Sequence, residues 1–462
     1  MKREPTLTQS LAGFVADLRR EQVPEPVMED AVRRVVDAVG VGLAGSTSPY
    51  ASMALEVAGE YRGRPEATAL GSGRRLPAPL AAMVNAALVH GHDFDDMHSR
   101  AMVHISCVTV PAAIALAEQR GATGADCLLA LVAGAEVGLR LGDAAPHRFI
   151  LRGWHGTSVC GTFAAAAVTA KLMGLDATRT AHALGLAASQ SSGIMQGLHD
   201  GSWVKRMHPG WAVQNGIMAA SLAARGFTGP LEALEGAAGL YSVFLRGDEE
   251  NVHLDDVVAG LGERWLLPET SYKKYPTGAW TQAAMDGVTR LLDEAGAGFA
   301  DIDRLDCTLP PDALPVVCEP REEKVHLATP YQAKFSLPHS VAMVAVLGHG
   351  TVEDYTDDLV TNADIIAVAE RVFCHADAAM TSRGFPVVVE MRTRDGRVLR
   401  AGPLTQPGSP ENPMSDEEHA AKFIGCAAPR LGQQQAGRLL EWLQRLPAAA
   451  NLGPLAELVT AG

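Results

Sequence analysis

No run of about 18 uninterrupted apolar residues occurs anywhere in the chain, which leaves no candidate membrane-spanning helix. The first residues, Met1-Lys2-Arg3-Glu4-Pro5, lead into a polar segment rather than the apolar core of a secretion leader. Paired cysteines are missing too. Cys107, Cys127, Cys160, Cys307, Cys318, Cys374 and Cys426 are scattered, with no C-x-x-C and no even disulfide framework, as suits reduced thiols in a cytosol. A soluble cytoplasmic protein is expected. Positive charge is in deficit: the formal net charge of −14 repels phosphate backbones, so neither nucleic acid nor an acidic membrane surface is expected as a partner. The chain carries no G-x-x-x-x-G-K-[ST], no strand-linked G-x-G-x-x-G, no G-x-S-x-G and no H-E-x-x-H, so nucleotide, dinucleotide, hydrolase-elbow and zincin readings lose support. Aromatic residues supply only 5% of the chain against 47% hydrophobic residues, so the core must be built from Ala, Leu and Val, which suits closely packed helices.

What is present is a long chain with a change of texture. Its 462 residues exceed what one core usually serves, so two domains are expected. Apolar residues at helical spacing predict helices over 28–44, 51–61, 78–90, 108–119, 124–140, 158–173, 178–192, 211–225 and 279–294. Thr157 or Ser158 is the expected cap of the 158–173 helix, Gly174 its left-handed end, and Asp176 the cap of the next. Nearly three hundred residues pass without a convincing strand. After Pro268, Leu305 to Leu309 reads as a strand and Pro386 to Arg400 as a hairpin turning at Asp395-Gly396, with helices over about 331–347 and 362–373 between them. Helical texture returns from Asp416 and again over 430–445, with Gly402 to Pro413 as a return linker. The expectation is a mainly α protein: a helical domain of 1–267 plus 409–462, interrupted by a smaller α+β lid domain of 268–408.

Four segments concentrate chemistry. His90 to His104 packs four imidazoles (His90, His92, His98, His104) and three carboxylates (Asp93, Asp95, Asp96) into fifteen residues, far more than a fold needs in one place. Gly153-Trp154-His155-Gly156-Thr157-Ser158 sets a histidine and two hydroxyls before a helix, where anions are favoured. Lys205-Arg206-Met207-His208-Pro209-Gly210 also leads into a helix, and Tyr272-Lys273-Lys274-Tyr275-Pro276 stands where the texture changes. Each has a bland counterpart: a solvated Asp/His loop, a capping histidine, two ordinary surface basic pairs. Together they point to a polyanionic small molecule gripped between the helical domain and the insert. His and carboxylate ligands at short spacing also keep a metal site open. Cys160 reads as a buried structural thiol.

The blocks His92-Asp93-Phe94-Asp95-Asp96-Met97-His98, Lys205-Arg206-Met207-His208-Pro209-Gly210-Trp211-Ala212, Gly226-Phe227-Thr228-Gly229-Pro230, Lys273-Lys274-Tyr275-Pro276 and Ala333-Lys334-Phe335-Ser336-Leu337-Pro338 resemble the MmgE/PrpD family, in the family's order and over nearly the whole chain. That family contains 2-methylcitrate dehydratase, cis-aconitate decarboxylase and iminodisuccinate epimerase. The resemblance implies a cofactor-free enzyme, usually a homodimer, with no resident metal and a di- or tricarboxylate substrate. It implies an active site between a helical domain made from both chain ends and an inserted lid. Asp93, His104, His155, Lys205 and Lys273 are the implied catalytic set; His98, Arg206, His208, Thr277 and Gln282 are the implied substrate contacts. Three features depart from the family. Met97 replaces its usual threonine, a histidine after the Lys-x-Tyr-Pro turn becomes Thr277 or Gln282, and the lid tyrosine of the decarboxylase branch has no counterpart near 318–325.

The shared chemistry breaks a bond beside a carboxylate, so lysines are expected to stabilise the developing charge while histidines move the proton and Asp93 orients an imidazole. Dehydration of a citrate-like hydroxy-polycarboxylate is the first expectation. Decarboxylation of a cis-aconitate-type acid or epimerisation of a dicarboxylate such as iminodisuccinate is the nearest alternative. A metal-dependent enzyme or a silent polycarboxylate-binding protein stands further off.

Overall fold

The computed structural model describes residues 4–460. Within them the chain forms two compact units. The first comprises the chain up to Gly91, Arg100–Thr270 and the chain from Asp416; the second comprises His92–Ser99 and Ser271–Ser415.

The first unit is helical and its central helices are apolar nearly all round, the mark of elements buried on every side. In Gly156–Met173 every residue from Gly156 to Ala170 is buried. Ala78–His90 is buried continuously from Ala81 to its last residue. Alanine removes little area from water, so such helices gain their stability from close approach. Glycine permits that approach where it matters. A Cβ on Gly216, in Val204–Ala223, would stand 2.6 Å from the Thr162 carbonyl of Gly156–Met173. One on Gly210 would stand 2.7 Å from the Met83 carbonyl of Ala78–His90. Val204–Ala223 is thereby seated against both helices.

Several expectations need correction here. The first three hundred residues do contain strands before the lid: β1 (Ala67–Ala69) pairs antiparallel with β2 (Arg74–Leu76), too short for a period-2 pattern to show. Val204–Ala223 begins seven residues before the expected 211, so Lys205 to Pro209 lie in its first turns rather than in a leading loop. Pro209 lies inside this helix and marks no boundary; it withholds one intrahelical hydrogen bond without ending the helix. The residue before Gly156–Met173 is His155, in extended conformation, rather than Thr157 or Ser158. Gly174 does end that helix at φ +64°, and the Asp176 side chain accepts from the Arg179 amide at the next helix start.

In the second unit β3 (Ile302–Leu309), β4 (Val372–Ala376), β5 (Val387–Thr393) and β6 (Val398–Leu404) form one sheet in the order β4-β3-β5-β6. The β3–β4 pair is parallel and the others antiparallel. The helix Ala279–Ala295 packs on β5, β6 and the helix Leu337–Leu347. The expected 362–373 helix stops at Ala369, and its β-branched tail becomes the missed strand β4. The expected 331–347 helix is split at Ser336, whose hydroxyl accepts from the His339 amide to start Leu337–Leu347. Gly402 to Leu404, expected in the linker, belong to β6. Among the described residues no helix is long and apolar enough to cross a membrane.

Candidate active site

In the first unit, four imidazoles gather around one ammonium. His90 ends its helix with 1% of its surface exposed, and its Nε2 lies 2.9 Å from Lys205 Nζ. The rings of His90 and His104 have centroids 4.7 Å apart, those of His90 and His155 5.4 Å, and those of His155 and His208 5.2 Å. His155 and His208 meet through their Nδ1 atoms at 3.1 Å, so one ring donates and the other accepts there. Lys205 and His208 share one face of Val204–Ala223 because they are three residues apart. His155 is placed by its amide, which donates to the Gly193 carbonyl, and His104 by its amide, which donates to Thr157 Oγ1.

Burial and the neighbouring Lys205 determine the charge of this cluster. Desolvation, then Lys205 and the surrounding imidazoles, hold His155 well below the usual histidine range. Burial, then Lys205, brings His208 down to about 4. Both rings are therefore neutral at neutral pH, leaving basic nitrogens beside a lysine that can bind an anion.

The second unit holds a different arrangement. Asp93 lies in the left-handed region, φ +55°, a conformation Asp tolerates better than most side chains. Lys273 Nζ donates to the Asp93 carbonyl at 2.7 Å and to its Oδ2 at 3.0 Å, with both side chains almost wholly buried. Met97 and Ser271 exchange amide-to-carbonyl bonds of 2.8 and 2.9 Å, tying the Asp/His loop to the segment that carries Lys273. Gln282 then braces the turn. Its Oε1 accepts from the Lys274 and Tyr275 amides, and its Nε2 donates to the carbonyls of Tyr275 and Thr277 and to Thr277 Oγ1.

Eight of the ten residues singled out in the sequence fall into three groups. His104, His155, Lys205 and His208 come together in the first unit, and Asp93 and Lys273 pair in the second. Thr277 and Gln282 are fully buried and bonded to each other and to the turn, which makes them supports of Lys273. Arg206 is held from the inside: its Nε donates to the Gly91 carbonyl, and its guanidinium lies 4.8 Å from the Tyr50 ring centroid and 5.4 Å from that of Trp203. His98 is buried in the Asp/His loop. Lys274, though adjacent to Lys273, is partly exposed and pairs with Asp286 at 3.0 Å. Cys160 is buried, and burial pushes its thiol up, which keeps it protonated and unreactive.

Sequence reasoning passed over His90 as an actor, although it lies within the run that drew attention first. An imidazole closing an otherwise apolar, fully buried helix was the available signal. Tyr50 and Trp203, whose rings lie against Arg206, left none.

Residues 9–253 match the model of the MmgE/PrpD N-terminal domain, and residues 275–446 that of the MmgE/PrpD C-terminal domain. A cis-aconitate decarboxylase-like protein of Aspergillus oryzae is 25% identical over 99% of this chain and 98% of its own length. The cis-aconitate decarboxylase of Aspergillus terreus is 29% identical over 62% of this chain and 60% of its own. That of Homo sapiens is 25% identical over 98% of this chain and 94% of its own.

Proposed function

The chain belongs to the MmgE/PrpD family, and from that premise we propose that it is a cofactor-free lyase that decarboxylates a cis-aconitate-type polycarboxylate. The observation that carries the reading is the Lys205 ammonium set 2.9 Å from His90 in a buried cluster with His104, His155 and His208. Relatives named cis-aconitate decarboxylase along nearly the whole chain move the preference from dehydration, the first expectation, to loss of carbon dioxide.

Decarboxylation leaves an electron pair on carbon. That pair spreads onto a neighbouring carboxylate, so the transition state gathers negative charge on oxygen. Lys205 answers this charge in the first unit; within the second unit, Lys273, oriented by Asp93, is the cation offered to a carboxylate. The carbon then takes up one proton in exchange for the carbon dioxide lost. A histidine of the cluster delivers it: once a proton has entered, an imidazole network beside an ammonium passes it on readily. Dehydration of a citrate-like hydroxy acid stays as the second reading, because the His155–His208 contact sets two proton-transfer groups side by side.

The test is incubation with cis-aconitate, citrate, 2-methylcitrate and iminodisuccinate in deuterated water, with products read by NMR. Carbon dioxide loss from cis-aconitate with one deuterium entering carbon supports the proposal. Water loss from citrate or 2-methylcitrate alone selects the second reading, and exchange of iminodisuccinate without net conversion selects an epimerase. Turnover abolished by a chelator and restored by a divalent ion would refute the cofactor-free assignment. His104→Ala is expected to stop deuterium entry; if entry persists, the proton passes through His155.

A further inference from the structure

Tyr355 stands out in the second unit. Its hydroxyl oxygen is buried and makes no hydrogen bond among the described residues. A buried phenol without a partner is unfavourable, and natural folds retain one chiefly where a ligand or an ordered molecule satisfies it. Lys334, itself buried, places Nζ 3.6 Å from the centroid of the Tyr355 ring and donates to the Pro276 carbonyl at 2.8 Å. Pro276 closes the turn that begins at Lys273, and Lys273 in turn grips Asp93. Tyr355, Lys334, Lys273 and Asp93 therefore form one continuous arrangement on the second unit.

From these contacts we propose that the Tyr355 hydroxyl is a substrate-binding donor, which hydrogen-bonds a carboxylate of the polycarboxylate that Lys273 holds. This deepens the function proposed above and rests on it. The chemistry fits a donor. Burial, then the carboxylates of Asp354 and Asp93, raise the phenol well above its ordinary range, so it keeps its proton at every working pH and presents O–H rather than a phenolate. The Lys334 ammonium over the ring face holds the ring in place by cation–π attraction. Sequence reading found no lid tyrosine near 318–325; Tyr355 lies some thirty residues later, on the loop after Leu337–Leu347.

Tyr355→Phe removes one oxygen and nothing else, and because that oxygen bonds to nothing in the fold the thermal midpoint should be unchanged or slightly raised. With cis-aconitate as probe, kcat/KM should fall roughly ten- to a hundredfold, the size of a lost hydrogen bond to a charged group. The loss should appear mainly in KM, and calorimetry with cis-aconitate should show a parallel weakening of binding. Lys334→Met, which keeps the bulk but not the charge, should give a smaller loss in the same direction. Wild-type turnover with unchanged kinetics and affinity in Tyr355→Phe would overturn this assignment and leave the decarboxylase reading intact. A wild-type protein that neither binds nor converts cis-aconitate would overturn both. A thermal midpoint lowered by several degrees, with affinity intact, would show that the hydroxyl serves the fold.

Discussion

Two buried lysines invite comparison. Lys205, in the helical unit, faces the imidazole of His90, whereas Lys273, in the α+β unit, faces the carboxylate of Asp93. Both are almost wholly buried; the first lies in a cluster with His155 and His208, which burial keeps neutral, and the second in an ion pair. The ammonium locked to a carboxylate serves to fix the left-handed turn at Asp93 and to orient what binds. Lys205 should therefore matter most to turnover and Lys273 to both turnover and folding.

The largest expected effect follows from removing the paired lysine. Lys273→Met leaves the Asp93 carboxylate buried beside a methyl group, and should destabilise the protein by about 3–5 kcal/mol in a denaturant titration. Adding Asp93→Asn should restore much of that loss. If the single substitution costs less than about 1 kcal/mol, the pair is not the support described.

Acid should bear on the helical unit next. His208 titrates near 4 in the folded protein and near its ordinary 6.5 when unfolded. The unfolded chain thus binds the extra proton first, and stability contributed by the neutral ring falls as pH drops from about 6.5 to about 4. Buried His339 and partly buried His419, also brought to about 4 chiefly by desolvation, act in the same sense. Stability curves between pH 7 and 4 should steepen in that window and flatten below it. In His208→Asn the slope should be shallower, and an unchanged slope would place the proton uptake elsewhere.

A smaller effect should separate Arg206 from Lys205, one position before it. Arg206→Lys loses the planar cation that lies against Tyr50 and Trp203 and should cost about 1 kcal/mol of stability, with turnover reduced far less than by any change at Lys205. Equal losses of turnover would put Arg206 in contact with substrate.

Much of this was legible in the chain. Alanine-rich runs with glycine ends fixed most helices to within a few residues, because a fully buried helix has a composition as well as a period. The Asp395-Gly396 hairpin declared its own turn. Strands of three residues with arginines in them carry no such signature, which is why β1 and β2 escaped. Val372 to Ala376 escaped for another reason: only Glu370 and Arg371 separate it from an apolar helical run, with no glycine or proline between them. The site divided along similar lines. Clusters of ionisable residues drew attention to four segments, and the family resemblance singled out His104, His155, Lys205 and Lys273 within them, but which group faces which is long-range information. His90 and Lys205 are 115 positions apart. The Gln282 brace and the contacts of Arg206 with Tyr50 and Trp203 are likewise made only by folding.

The most direct test is to separate binding from chemistry at Lys205. Wild type and Lys205→Ala would be compared with cis-aconitate, affinity by calorimetry and the chemical step by rapid quench. The arrangement predicts binding weakened by no more than about tenfold and the chemical step slowed by roughly a hundredfold or more. A chemical step that survives at the wild-type rate, with only affinity lost, would contradict it and leave Lys205 as a substrate anchor alone.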